Sequence, residues 1–466
     1  MANIEISNEI AGNPEPASVS TGVINPDQYI LEELLLYTSI GEPTDIKYMM
    51  VELSYFEDLT NGFCSGSILI RDAFKMLINL GMTGFEYIKI NFRKTQKNTG
   101  KIFSIDKYFR IYRVSERGIV NYNTEMYTLE FCTEEFFMSQ QLKLSKSYPD
   151  TKISDIVERI LYSDLKINPK YIRVQETNGL YNFVIPYKRP YEAIKWLSNY
   201  ALPIGREGAD FMFYENADGV NFFSLQKLFE QSTYNRYTFM PRNVGDNATE
   251  IQRNLVGIKS FIFLDTFDSL YGVTKGVFAN KLISIDPLTG RWYETKFNLN
   301  DYMKKSVKLN ASSVVPDIKN RRGKNAYEEE NSVLNIAMSN SRQKFAPGIS
   351  DDPSIVTNDI YAEKYLPYRT AQVALSHYSR IKLSLAGDPN LTVGMVIEIY
   401  LPGSRPDGVR NGELDEINSG KYLISAIRHI LDSNGKYETI VEAVKDTYNR
   451  SVVYPTYKQL LDAIKG

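Results

Sequence analysis

Cysteine, histidine and tryptophan are nearly absent from this chain: Cys64 and Cys132, His377 and His429, Trp196 and Trp292 are all that 466 residues contain. Neither histidine lies near a cysteine, which leaves no Cys/His spacing for zinc. The two cysteines sit in strand-like text, where buried free thiols of a reducing compartment are expected, with a bridge between them as the less favoured alternative. There is no Gly-x-x-x-x-Gly-Lys-Ser/Thr loop, since Gly420-Lys421 lacks the upstream glycine and the hydroxyl, and there is no Gly-x-Ser-x-Gly elbow. Asp407-Gly-Val-Arg-Asn-Gly412 starts like a calcium loop, but Val409 stands where an oxygen ligand is needed and the twelfth place is not acidic, so it reads as a hairpin loop. No catalytic, cofactor-binding or metal-binding residue is assigned. Two carboxylates can converge from anywhere in a sequence; Glu86 and Asp72 are candidates only in that loose sense, and at strand and helix edges they read as solvated.

Two further absences bear on location. No apolar run reaches the length of a membrane span, and the N-terminus shows no basic region followed by an apolar one. The expectation is a protein made in a cytoplasm and soluble until it assembles. An excess of positive charge is missing too: 54 Lys and Arg stand against 56 Asp and Glu, for a net charge of −2. A dedicated nucleic-acid binder would carry a basic excess or stripe.

What is present in quantity is Tyr (33) and Phe (23), in a chain long enough for several domains, and these residues suit strands and protein–protein surfaces. The strands carry a repeat. Tyr87-Ile-Lys-Ile-Asn-Phe92 reads against Val396-Ile-Glu-Ile-Tyr-Leu401, each after a glycine turn (Gly84, Gly394). The segments 108–114 with 126–131 read against 422–427 with 437–442, and each second strand runs into an acidic end, Glu134-Glu135 and Asp446. One β module present twice, in three copies of the chain, makes a ring with six-fold-like character.

The pass along the chain gives a mainly β, α+β protein. Residues 1–28 read as an extended arm, either a frayed tail or a segment ordered by a neighbour. Residues 29–142 form a first antiparallel β-barrel, with a short helix over 72–80. Residues 143–240 form a small α/β domain. In it, Asp150 or Thr151 caps one helix, Pro190 opens a second, and Phe211–Tyr214 and Asn221–Leu225 make a hairpin around Asp218-Gly219. A second barrel starts over 241–270, is interrupted over 271–375 by an insertion with a long polar loop (311–360), and is completed over 376–446. A helix broken near Pro367 spans 362–379. The tail, 447–466, carries a short helix.

These segments together resemble the baseplate hub proteins of contractile-tailed phages, the family of late control protein D and of the hub part of the type VI secretion spike. Cys64-Ser-Gly66-Ser-Ile-Leu-Ile-Arg-Asp72 followed by Gly84-Phe-Glu86-Tyr-Ile-Lys-Ile-Asn-Phe92 is similar to the hub's first tube-like barrel. Phe183–Pro186, Pro190-Tyr-Glu-Ala-Ile-Lys-Trp196-Leu and Asn221–Leu225 are similar to its middle domain, and Val277–Asp286 with Phe297–Tyr302 to the text after the second barrel opens. The order of the motifs carries the likeness over residues 29–446, with Gly66, Asp72, Gly84, Glu86, Pro190, Trp196 and Gly394 as the fold-motif residues.

The resemblance implies a homotrimer whose six tube-like barrels form a pseudo-hexameric ring between a hexameric tail tube and a trimeric central spike. Its partners would be those two proteins, baseplate wedge proteins and the tape-measure protein, with DNA only in transit and a place in the virion's tail baseplate after assembly in the host cytoplasm. A distal tail or tail-tip protein of a non-contractile tail is the alternative of the same class. A virion-associated cell-wall hydrolase is the alternative of another class. Lys89 and Glu398 are candidates for an exposed barrel face, and the balanced charge suggests a channel wall that does not retain DNA.

Overall fold

The computed structural model describes residues 28–39, 41–95, 102–239, 256–265, 268–285, 290, 292–311, 323–325, 328, 333–338, 356–357, 362–375, 378–403 and 414–449. The arm (but for Gln28), most of 311–360, the Asp407–Gly412 run and the expected terminal helix lie outside them.

The first module is built from β1 (Ile30–Tyr37), β2 (Thr44–Asp45), β3 (Met50–Asp58), β4 (Ser65–Asp72), β5 (Tyr87–Thr95), β6 (Ile102–Asn121) and β7 (Thr124–Thr133). Apart from the short β2 at its edge, its strands run β1-β5-β6-β7-β4-β3. Alternation decides the fold: Leu34 and Leu36, Ile88, Ile90 and Phe92, Phe109 and Ile111, Leu129 and Phe131, Ile68 and Ile70 and Leu53 and Tyr55 all turn to one core. Each such side chain taken from water contributes about 1.5–3 kcal/mol, and most of the residues between them face the other side of the strand.

The second module repeats the plan with β13 (Arg236–Phe239), β14 (Gly257–Asp265), β19 (Ser379–Ala386), β20 (Val396–Tyr400), β21 (Gly420–Asp432) and β22 (Tyr437–Lys445). Antiparallel pairings β20–β21, β21–β22, β22–β19 and β19–β14 match β5–β6, β6–β7, β7–β4 and β4–β3. Here β13 joins β14 and β20, parallel to both, so the second barrel is closed. β13 comes from within 143–240.

The register shows how close the two copies are. Both long strands carry a bulge at the same place, between Ile111 and Arg113 in β6 and between Ile424 and Ala426 in β21. Aligned on that bulge, Ile88 matches Ile397 and Ile90 matches Ile399, and all four are buried. The bulged residues themselves, Tyr112 and Ser425, donate their hydroxyls to matching glutamates, Glu130 at 3.1 Å and Glu442 at 3.4 Å. The two modules form one continuous sheet, because β3 pairs antiparallel with the second half of β21.

Between them lies the middle domain: β8 (Ser147–Thr151), β9 (Ile172–Val174), β10 (Leu180–Val184), β11 (Phe211–Asn216) and β12 (Gly219–Ser224), with helices Ile153–Arg159 and Pro190–Ser198 over a shared core. The first helix is not capped by Asp150 or Thr151. Its flanking residue is Lys152, and the Ser154 amide donates instead to Thr177 Oγ1 at 3.0 Å, so a distant hydroxyl does the capping. The hairpin turn is Ala217-Asp218, with Gly219 (φ 132°) as the first residue of β12; a Cβ there would meet the Tyr171 carbonyl oxygen at 2.3 Å.

The insertion contributes β15 (Ala279–Ile285), β16 (Trp292–Asn298) and β17 (Leu334–Met338) as a separate three-stranded sheet, and β18 (Val356–Thr357) pairs with β10. Helix Ala362–Leu375 packs on that sheet and runs unbroken through Pro367, whose carbonyl accepts from Asn280 Nδ2 at 3.0 Å.

Candidate functional site

The place where both barrels and the middle domain meet is polar and buried. β3 puts Leu53, Tyr55 and Glu57 on its core face, so the period of two sends a carboxylate inward. The same phase error occurs at Lys107, between Ile105 and Phe109 in β6, and at Glu215, after Phe211 and Phe213 in β11. Three strands from two bodies, β3 and β6 of the first module and β11 of the middle domain, thus aim charge at one point.

Each charge is bound. Glu57 accepts from Tyr55 Oη at 3.0 Å and from the Val393 amide at 3.0 Å, tying the first module to the loop before β20. Glu215 accepts from Thr133 Oγ1 at 2.8 Å and the Cys64 amide at 3.3 Å, tying the hairpin to β7 and to the residue that precedes β4. Lys107 Nζ donates to the Asn216 carbonyl at 2.8 Å, and Asn216 Nδ2 donates to Thr392 Oγ1 at 3.4 Å. Hairpin β11–β12 is therefore keyed into both barrels at once.

Burial sets the charge states. It pushes Glu57 up to about 7, against the Val393 amide and the Lys107 ammonium. Burial, with Glu135 nearby, raises Glu215 further still. Burial works against a charged Lys107, but Cys64, Glu215, Glu57 and Glu135 outweigh it and hold the amine above the ordinary lysine range. Cys64 and Cys132 are free and buried, and burial pushes both thiols up, away from reactive thiolates. A cleft of about 290 Å³ opens beside this point, lined by Lys89, Asp106, Lys107, Glu135, Tyr171 and Glu215 among others. The carboxylates of Glu57 and Glu215 are spent on hydroxyls and backbone amides of neighbouring strands. The arrangement orients domains.

The seven fold-motif residues do not gather at this junction. Gly66 lies under Phe131, where a Cβ would stand 2.2 Å from Cζ. Asp72 and Glu86, expected to be solvated, are buried at 0 and 5 % exposure. Asp72 accepts from the Phe74 and Met76 amides and from Tyr127 Oη, at 2.7, 2.6 and 3.0 Å, and so starts the short helix; Glu86 accepts from the Thr83 and Gly84 amides at 2.5 and 2.8 Å. Turn backbones with free amides drew these carboxylates in. Gly84 and Gly394 both hold φ near +87° before matching strands. Pro190 opens its helix, and the Trp196 ring stands edge-on to Phe183 and Tyr200. Glu57, Lys107, Glu215 and Asn216 were not singled out from the sequence. Charge at the inward phase of a strand is the signal that marks the first three.

No family model matches the chain. It is 21 % identical over 423 residues to the probable baseplate hub protein gp334 of Vibrio phage KVP40, covering 89 % of this chain and 94 % of that protein. The chain is baseplate hub-like. It is a mainly β protein with a closed β-barrel. In fold it is similar to the 43 kDa tail protein of prophage MuSo2 from Shewanella oneidensis (TM-score 0.50, 8 % identity, 89 % of this chain and 98 % of that one). A tail protein from Neisseria meningitidis MC58 gives a TM-score of 0.49 at 9 % identity, over 90 % of this chain and 97 % of that one.

Proposed function

We propose that this chain is the hub at the centre of a contractile tail's baseplate, a homotrimer whose six barrels form a pseudo-hexameric ring. The ring joins the hexameric tail tube on one face to the trimeric spike on the other, and DNA and the tape-measure protein pass through it. The observation that carries the reading is the duplication: same strand order, same bulge, same inward isoleucines. A three-fold particle with two like modules per chain can present six near-equivalent surfaces to a six-fold tube.

The junction fits this role. Glu57, Glu215, Lys107 and Asn216 fix the two barrels at one angle, and a ring closes only if that angle is kept. At the matched positions Lys89 and Glu398 the signs are opposite, and each is neutralised in place: Lys89 by Glu33 at 2.5 Å, Glu398 by Arg236 at 3.1 Å. Such a wall does not hold DNA by phosphate pairing. Lysis of the cell wall, in this reading, belongs to a partner chain. The division into barrels, middle domain, insertion and tail, and the part played by the seven fold-motif residues, belong to the same proposal. The test is the mass of the purified particle in native mass spectrometry. Three chains of 53.4 kDa each are expected; a stable particle of six chains supplies twelve modules and overturns the reading.

A further inference from the structure

Past the shared bulge the two long strands of the repeat differ: β6 has further register shifts between Ser115 and Gly118 and between Ile119 and Asn121 that β21 lacks, so their residues are matched here through the partner strands β7 and β22, and their open edges are covered differently. In β21 the half after the bulge, Ala426 to Asp432, is covered on its open edge by β3, with Ile430 beside Ser54 and Leu431 beside Leu53. In β6 the matching half begins at Arg113. Among the described residues no strand pairs with it on the β5 side, where pairing ends at Arg110 opposite Tyr87. Its side chains stand in solvent: Ile119 is 78 % exposed and Val120 54 %, whereas Leu431, the counterpart of Ile119, is fully buried and belongs to the first module's core.

The complementary half-site is also in the chain. β14 holds the place in the second module that β3 holds in the first. Aligned through their partners β19 and β4, Phe261, Ile262 and Phe263 match Leu53, Ser54 and Tyr55. Beyond Ile258, the last residue of β14 that β13 reaches, no described strand pairs on that side, and Ile262 and Leu264 are 62 and 40 % exposed. A long strand edge carrying exposed apolar residues is a template for pairing, and here the chain holds both the template and its counterpart, on opposite modules.

We infer that β14 of one copy pairs antiparallel with the second half of β6 of the next copy, in the register that β3 and β21 use within the chain. Ile119 then lies beside Phe261 and enters the second module's core as Leu431 enters the first's. The contact joins unlike patches, so it is head-to-tail, and after three copies it closes a ring in which every module-to-module seam is the same strand pair. This rests on the ring reading above and adds the surface that makes the ring.

The experiment uses the full chain with cysteine pairs across the proposed seam: Ile119→Cys combined in turn with Ser260→Cys, Phe261→Cys or Ile262→Cys, which spans a slip of one residue. Each is oxidised, run on a non-reducing gel, and weighed by light scattering. The expected result is covalent dimers and trimers for at least one pair and none for any single cysteine variant. Trimers in light scattering with no cross-link in any pair overturn the seam and leave the ring reading standing; a chain that stays monomeric at every concentration, with no cross-link, overturns both. Ile119→Asp and Ile262→Lys give an independent arm, since both residues are exposed in the single chain. Each is expected to weaken trimer formation roughly tenfold or more in dissociation constant, with circular dichroism and unfolding midpoint unchanged; wild-type affinity in both overturns the proposal.

Discussion

The two barrels bury the same position with opposite residues. In the first, Gly66 on β4 faces Phe131 on β7; in the second, Ile381 on β19 faces Ala443 on β22. The first copy places the bulk on β7 and the second places it on β19, the counterpart of β4. The strand order and the bulge are kept while the residues filling the space have exchanged roles, as expected if a core demands volume more strictly than identity.

The largest expected effect breaks this complementarity. Gly66→Ile drives a branched side chain into Phe131 and the Ser54 carbonyl, whose oxygen lies 2.4 Å from a Cβ at this site. A loss of about 3 kcal/mol or more is expected in denaturant unfolding. Gly66→Ile with Phe131→Ala copies the second barrel's arrangement and is expected to be less destabilised than the sum of the two single variants by at least about 1 kcal/mol. If the double variant is no better than the sum of its parts, the equivalence of the two positions is wrong.

The matching turns give a smaller, graded effect. Gly84 and Gly394 share the left-handed conformation, so alanine at either costs about 1–2 kcal/mol of backbone strain. At Gly394 the Cβ also meets Tyr214 Oη at 2.6 Å, whereas at Gly84 the nearest atom is the Tyr112 carbonyl oxygen at 3.8 Å. Gly394→Ala should therefore lower the unfolding midpoint more than Gly84→Ala. Equal losses would mean that Tyr214 moves freely.

These comparisons also show what could be read in the sequence. The meander of each module was legible because Ile88 and Ile90, Ile397 and Ile399 alternate with polar neighbours and stand after glycine turns. β13 was not, because four residues, Arg236 to Phe239, carry no period strong enough to mark a strand, and their place is fixed by two partners distant in the chain. The seam between modules was hidden for the same reason: nothing in 50–58 says that its partner lies beyond residue 420. The junction was half visible. Glu57, Lys107 and Glu215 break the apolar phase of their strands, but which charges meet depends on how the first module packs on the middle domain.

The smallest expected effect concerns that junction and pH. The folded state raises Glu57 to about 7 and raises Glu215 as well, above their values in an unfolded chain. The folded state therefore binds these protons more tightly, so their contribution is fully present below the ordinary carboxylate range and is lost as pH rises through about 7 and beyond. Between pH 6 and 9 the melting temperature of the wild type should fall more than that of Glu215→Gln, which stays neutral. Parallel curves for the two would show that Glu215 does not titrate in this window.

The central claim is that one chain supplies two equivalent modules to a ring of six. Averaged electron micrographs of the assembled particle, viewed down its axis, test it most directly. The account predicts six lobes of alternating kind with true three-fold symmetry and an open centre. Six identical lobes, or a ring in which the lobes do not alternate between first and second module, would contradict it.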